Sequence, residues 1–171
     1  MALIVEDGTG KADADSYIDL VAAREFAEKY GVTLPVDDAA CEVALRQGTQ
    51  YVDLQELSFG GTRAGDTQAL SFPRTSYTSI NGIAIAAYTA PKQLGYATVF
   101  AAAEYASGTD VRGNDGGQAV ASEEVTGAVK VSYFDNGQNG STTTITRAID
   151  ALKPLYSYSH SVGGIEFRVG R

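Results

Sequence analysis

The sequence predicts a mainly α protein: a small helical bundle of three to four helices, with a loop and hairpin insertion and a C-terminal extended arm containing short β-strands. Three observations carry this prediction. Cys41, Ala44, Leu45, Gly48, Tyr51 and Val52 recur at three- and four-residue steps, the spacing of one helical face. Leu94, Ala97, Thr98, Ala101 and Tyr105 repeat that spacing behind Pro91. Past residue 108, apolar side chains alternate at period two, as in a half-buried strand. The expected organisation is a helical core over residues 1–108, with an insertion at about 58–90. A linker and a β-containing arm then occupy 109–171.

The opening segment to Asp15 is polar and turn-rich. Ser16-Tyr17-Ile18-Asp19 reads as a capping box, so the first helix is expected to begin near Ser16. Tyr17, Leu20, Val21, Ala27 and Tyr30 mark its face, with a slip at Phe26, and Gly31 is a natural stop. Asp37 or Asp38 suits the start of the second helix, where a carboxylate meets free N–H groups and the positive dipole end. Gly48 in its stripe costs about 1 kcal/mol of helix propensity, which implies close approach of another helix. Residues 58–67, with Gly60-Gly61 and Gly65-Asp66, form a loop. Asn81-Gly82 signals a hairpin within 75–89. The third helix runs from Pro91 towards Gly108 with an alanine-rich face. Residues 107–122 read as a linker. Val129-Lys130-Val131-Ser132-Tyr133 reads as a strand, Asn136-Gly137 and Asn139-Gly140 as turns, and residues 144–155 as a short helix broken by Pro154. Alternation returns in residues 163–169.

Between the second and third helices lies Gln68-Ala69-Leu70-Ser71-Phe72-Pro73-Arg74-Thr75. Pro73 fixes its own φ and biases Phe72 towards extended backbone. Leu70 and Phe72 then project to one side, and Arg74 offers a planar fork of five donors. The segment suits a clip, either joining two helices or docking on a neighbouring subunit.

Charge is unevenly spread over the 171 residues, whose formal net charge is −8. Residues 1–60 hold twelve Asp and Glu against four Lys and Arg, whereas residues 61–171 hold nine of each. Nucleic-acid binders commonly show a basic stripe. The balance here therefore favours a surface that repels phosphate. No apolar run approaches the roughly 20 residues of a membrane helix, so no membrane role is expected. The single Cys41 cannot form an intrachain disulfide and fits a small core residue.

Residues that could carry chemistry are few. Gly8-Thr9-Gly10-Lys11 resembles the end of a phosphate loop, but Ala12 stands where a hydroxyl is needed and the upstream glycine is missing, so a plain turn is expected. Asp7, Asp13 and Asp15 lack the offsets of a calcium loop. His160 is the sole histidine, and the chain has neither a G-x-S-x-G elbow nor enough His and Cys for zinc. No catalytic residues, cofactor or metal are therefore expected, and no enzyme activity. The tyrosines could stack bases, but core or interface roles are favoured for most of them.

Several segments, in this order, resemble one family of small tailed-phage proteins. They are Val5 to Gly10, Asp15-Ser16-Tyr17-Ile18-Asp19-Leu20, residues 39–53 ending Gly48-Thr49-Gln50-Tyr51-Val52-Asp53, the Phe72-Pro73-Arg74 clip, and the Pro91 helix ending Glu104-Tyr105-Ala106. A weaker echo lies in Val129-Lys130-Val131 and residues 148–155. The family's clip usually has tryptophan where Phe72 stands. The resemblance implies a head–tail connector, an adaptor or head-completion protein in the virion neck. As such it would form a ring, typically twelve-fold, docked under the portal protein and joined to tail proteins, with DNA sliding past without specific binding. Leu70, Phe72, Pro73 and Arg74 would then form the clip or an interface, and Phe167 and Arg168 would touch a partner ring. The same family carries the label of a DnaT-like single-stranded DNA-binding protein. This gives the alternative expectation, a replication accessory gripping DNA through Arg63, Arg74 or insertion tyrosines.

Overall fold

A computed structural model of the chain describes residues 2–108, 122–125, 129–132 and 145–157. The protein is mainly α, with four helices and two small two-stranded antiparallel sheets among these residues. Helix α1 spans Leu20–Tyr30, α2 Asp38–Asp53, α3 Lys92–Ala106 and α4 Thr146–Leu152. Strands β1 (Tyr77–Thr78) and β2 (Ala84–Ile85) form the predicted hairpin, with Gly82 at φ 76° in its turn. Strands β3 (Ser122–Val125) and β4 (Val129–Ser132) pair through four residues each. The sequence signalled β4 and placed linker up to the first residue of β3.

The cap of helix α1 lies three residues beyond the Ser16 that the capping box implied. The Ser16 hydroxyl turns onto the backbone of Ile18 instead, and Asp19 caps the helix through Ala22 N at 2.8 Å. Ser16 is held there because Glu6 N donates to its carbonyl at 2.9 Å, binding the opening segment to the helix entry. Gly31 ends α1 at φ 64°, as its position predicted. Asp37 caps α2 through Ala40 N at 2.9 Å.

All six residues of the α2 stripe are buried. A Cβ on Gly48 would lie 2.3 Å from Thr98 O and 2.9 Å from Ala102 N, so α2 and α3 meet backbone to backbone there. That approach offsets the propensity cost of glycine. The α2–α3 pair forms a wall with a cluster on each side. One cluster packs Ala23, Phe26 and Ala27 of α1 against Cys41, Ala44, Leu45, Val99 and Ala102. The other packs Leu70 and Phe72 with Leu94, Ala97, Ala101, Ala148, Leu152 and Leu155. Residues 145–155, read from sequence as part of the stretch after the linker, thus belong to the core of the bundle. Tyr51 anchors them by accepting a hydrogen bond from Ile145 N at 2.9 Å.

Candidate nucleic-acid interface

The clip is built inward. Phe72 and Pro73 are fully buried and joined by a cis peptide bond, and Leu70 and Arg74 are buried beside them. The Phe72 ring meets Phe59 edge-on at 5.0 Å, a geometry worth about 0.5–1.5 kcal/mol beyond area burial. Arg74 donates to three carbonyls, Gly60 O (2.6 Å), Gly61 O (2.9 Å) and Ser71 O (3.2 Å), and to Glu56 Oε1 at 3.3 Å. Arg63 grips the same Glu56 carboxylate with two bonds of 2.8 and 2.7 Å. These two guanidiniums hold Glu56 below its usual range, with Arg63 the larger cause. Neither arginine keeps its fork free for phosphate. Phe167 and Arg168 lie outside the described residues, as does His160.

A second knot ties the clip to the bundle. Asp53 Oδ1 accepts from the Tyr17 hydroxyl (2.6 Å), Ser71 Oγ (2.7 Å) and Ser71 N (3.1 Å), while Phe72 N donates to the Tyr17 oxygen at 3.2 Å. Burial pushes the Asp53 carboxyl up, against the pull of those donors, and pushes the Tyr17 phenol well up.

The loop resembling a phosphate cradle already holds an anion of its own. Buried Glu6 accepts from Gly8 N (2.8 Å), Gly10 N (2.9 Å) and Lys11 N (2.8 Å). Asp7 takes the Lys11 ammonium and the Thr9 hydroxyl, and Asp15 takes Arg46. Glu6, Asp7 and Asp15 thus turn to separate partners.

A different place presents the chemistry of a base-binding surface. Phe26 stacks on Tyr30, at 4.3 Å and 28°, and on Tyr96, at 4.5 Å and 25°; the two tyrosines tilt against each other at 6.3 Å, and Phe100 meets Phe26 edge-on at 5.4 Å. The fan of rings follows from two i, i+4 aromatic pairs, Phe26/Tyr30 on α1 and Tyr96/Phe100 on α3. Tyr30 remains 54% exposed. Beside it an open groove of about 370 Å³ is lined by Tyr30, Phe100, Arg147, Asp150 and Ala151. Helices α1, α3 and α4 each contribute to it. Arg147 is exposed. Among the described residues, Arg147, Lys29 beside Tyr30 and Lys92 one turn before Tyr96 have no ion pair. Sequence reasoning missed this groove, although the slip at Phe26 and the repeated aromatic spacing were its signal.

Fold and groove together define a small helical protein with stacked rings and an unpaired guanidinium on its surface. The family model described as "Putative DnaT-like ssDNA binding protein" matches residues 1–171, and the chain belongs to that family. No curated protein and no solved structure matches it.

This match corrects the head–tail connector reading. The virion adaptor role, the twelve-fold ring, the portal and tail partners and the passive passage of DNA are overturned by the family label, which agrees with the alternative expectation instead. The physical error lay in treating net charge as a map of the surface. Asp15, Asp38 and Glu56 are spent on Arg46, Arg24, Arg63 and Arg74, Glu6 on backbone amides, and Asp19 and Asp37 on helix caps. A formal net charge sums both signs over the chain and does not say where on the surface a cation stands unpaired. Arg63 and Arg74, expected to touch DNA in the alternative reading, both hold the clip. Among the described residues, no helix is long and apolar enough to cross a membrane.

Proposed function

We propose that this protein is a non-catalytic single-stranded DNA-binding accessory protein, and that bases dock in the groove between α1, α3 and α4. The observation that carries the reading is the exposed Tyr30 ring at the edge of an aromatic cluster, lining a groove that Arg147 also lines. Every base has a π-face, so an aromatic platform grips single strands with little regard to sequence. A duplex keeps its bases stacked on one another and offers no free face. Arg147 supplies a donor and positive charge, and Lys29 and Lys92 lie on the flanking helices where a strand's phosphates would pass. The family match supports this reading independently.

Fluorescence anisotropy of a labelled oligonucleotide at low salt tests it. Tyr30→Ala is expected to weaken binding by about 1–3 kcal/mol, the worth of one base–aromatic stack. Arg147→Ala is expected to weaken it further, while Arg63→Ala leaves affinity unchanged in protein that remains folded. Absence of binding at low salt, or equal affinity for duplex and single strand, would refute the proposal.

A further inference from the structure

We infer that the groove reads the base it holds and prefers guanine over thymine, through Arg147 and Asp150 acting as a donor–acceptor pair. This rests on the single-stranded DNA reading above and deepens it. Both side chains line the groove with Tyr30 and Phe100. They stand at i and i+3 on α4, where Cβ atoms lie about 5–6 Å apart, close to the width of a base edge. They do not neutralise each other: Asp150 Oδ1 accepts from Lys153 at 2.6 Å, and Arg147 keeps its fork.

A carboxylate is a poor choice for a surface that only tracks phosphates, because it repels them. Its presence beside an unpaired guanidinium suits contact with a base edge instead. Guanine sets the O6 acceptor beside two parallel donors, N1–H and N2–H. Arginine recognises guanine through O6 and N7. A carboxylate can take both N1–H and N2–H, and guanine alone offers that pair. Adenine and cytosine each give a carboxylate one exocyclic amine. Thymine gives one N3–H flanked by two carbonyl oxygens that repel it. Stacking on Tyr30 adds to the preference, since a purine covers more of the ring than a pyrimidine.

The test compares oligo-dT with dT strands carrying isolated guanines, spaced to prevent quadruplexes. A third strand replaces each guanine by hypoxanthine, which lacks N2–H. The protein is expected to bind the guanine strand tighter than oligo-dT by about fivefold or more, the lower end of what one good two-point base contact gives. Hypoxanthine should remove much of that gain. Asp150→Asn should abolish the difference between guanine and hypoxanthine, and Asp150→Glu should restore part of it. Thermal melts of each variant establish that it is folded. Equal affinity of the wild-type protein for all three strands would overturn base reading and leave single-strand binding intact. An unchanged guanine preference in Asp150→Asn would overturn the role of Asp150. Failure to bind any strand would overturn both this inference and the function it rests on.

Discussion

Individual side chains in this protein answer to their partners more than to their types. Glu6 is a charged residue at 2% exposure, tolerable because three backbone N–H groups surround its carboxylate. Replacing it by alanine leaves those amides without their acceptor. Glu6→Ala is expected to destabilise the protein by about 3 kcal/mol or more, and Glu6→Gln by less, in urea unfolding. Gly48 illustrates the opposite constraint. Alanine would improve helix propensity by about 1 kcal/mol. Its Cβ, however, would sit 2.3 Å from the Thr98 carbonyl, which belongs to a helix backbone and yields only if α2 and α3 separate. Gly48→Ala is therefore expected to lose roughly 1–3 kcal/mol net, seen as a lower urea midpoint.

The clip works as a unit because buried charge, aromatic plug and backbone carbonyls satisfy one another. Glu56 anchors its outer edge through Arg63 and Arg74. Its folded-state pKa is lowered from an ordinary 4.5, so the contribution of its charge is complete above that value. It is lost as pH falls through the lowered folded pKa, where the folded state takes up the proton. Glu56→Gln is expected to be less stable than wild type at neutral pH by about 1–2 kcal/mol. The two stability curves should converge on acidification below 4.5, as measured by denaturant titration across pH. Tyr17→Phe tests the inner edge. It removes the donor to Asp53 and the acceptor for Phe72 N, and an expected loss of about 1–3 kcal/mol should appear as a lower Tm with the helical circular dichroism retained. The cost falls on the junction of clip and bundle, which the sequence motif Asp15 to Leu20 and the distant Ser71 build together.

For the molecule as a whole, an acidic chain binding DNA must do so with few phosphate contacts. Lys29 and Lys92 on α1 and α3, with Arg147 on α4, have no ion pair among the described residues and so supply at most three phosphate contacts from the helices that build the groove. Single-strand binding loses about 0.7 log units of affinity per log unit of salt for each neutralised phosphate, so the slope is expected to be no steeper than about −2. Lys29→Ala or Lys92→Ala should make it shallower, while Tyr30→Ala lowers affinity without changing it. A steep slope in anisotropy titrations would mean that a larger basic surface carries the binding.

Helix-forming stretches were legible from residue order, because amphipathic spacing is local. The α2 stripe, the Gly31 stop, the Asn81-Gly82 turn and the short helix before Pro154 all follow from residues a few positions apart. Even the close helix approach at Gly48 was implied by its misfit within an otherwise regular stripe. The start of α1 was not legible, because Ser16 serves a loop pinned by Glu6 ten residues upstream. The groove was not legible either. Tyr30, Phe100 and Arg147 are separated by dozens of residues and meet only because α3 packs against both α1 and α4. Local spacing fixes which backbone segments coil and which face they bury. Which carboxylates are neutralised, and which rings stay open to a ligand, depends on partners that only the packing of distant segments brings within a few ångströms.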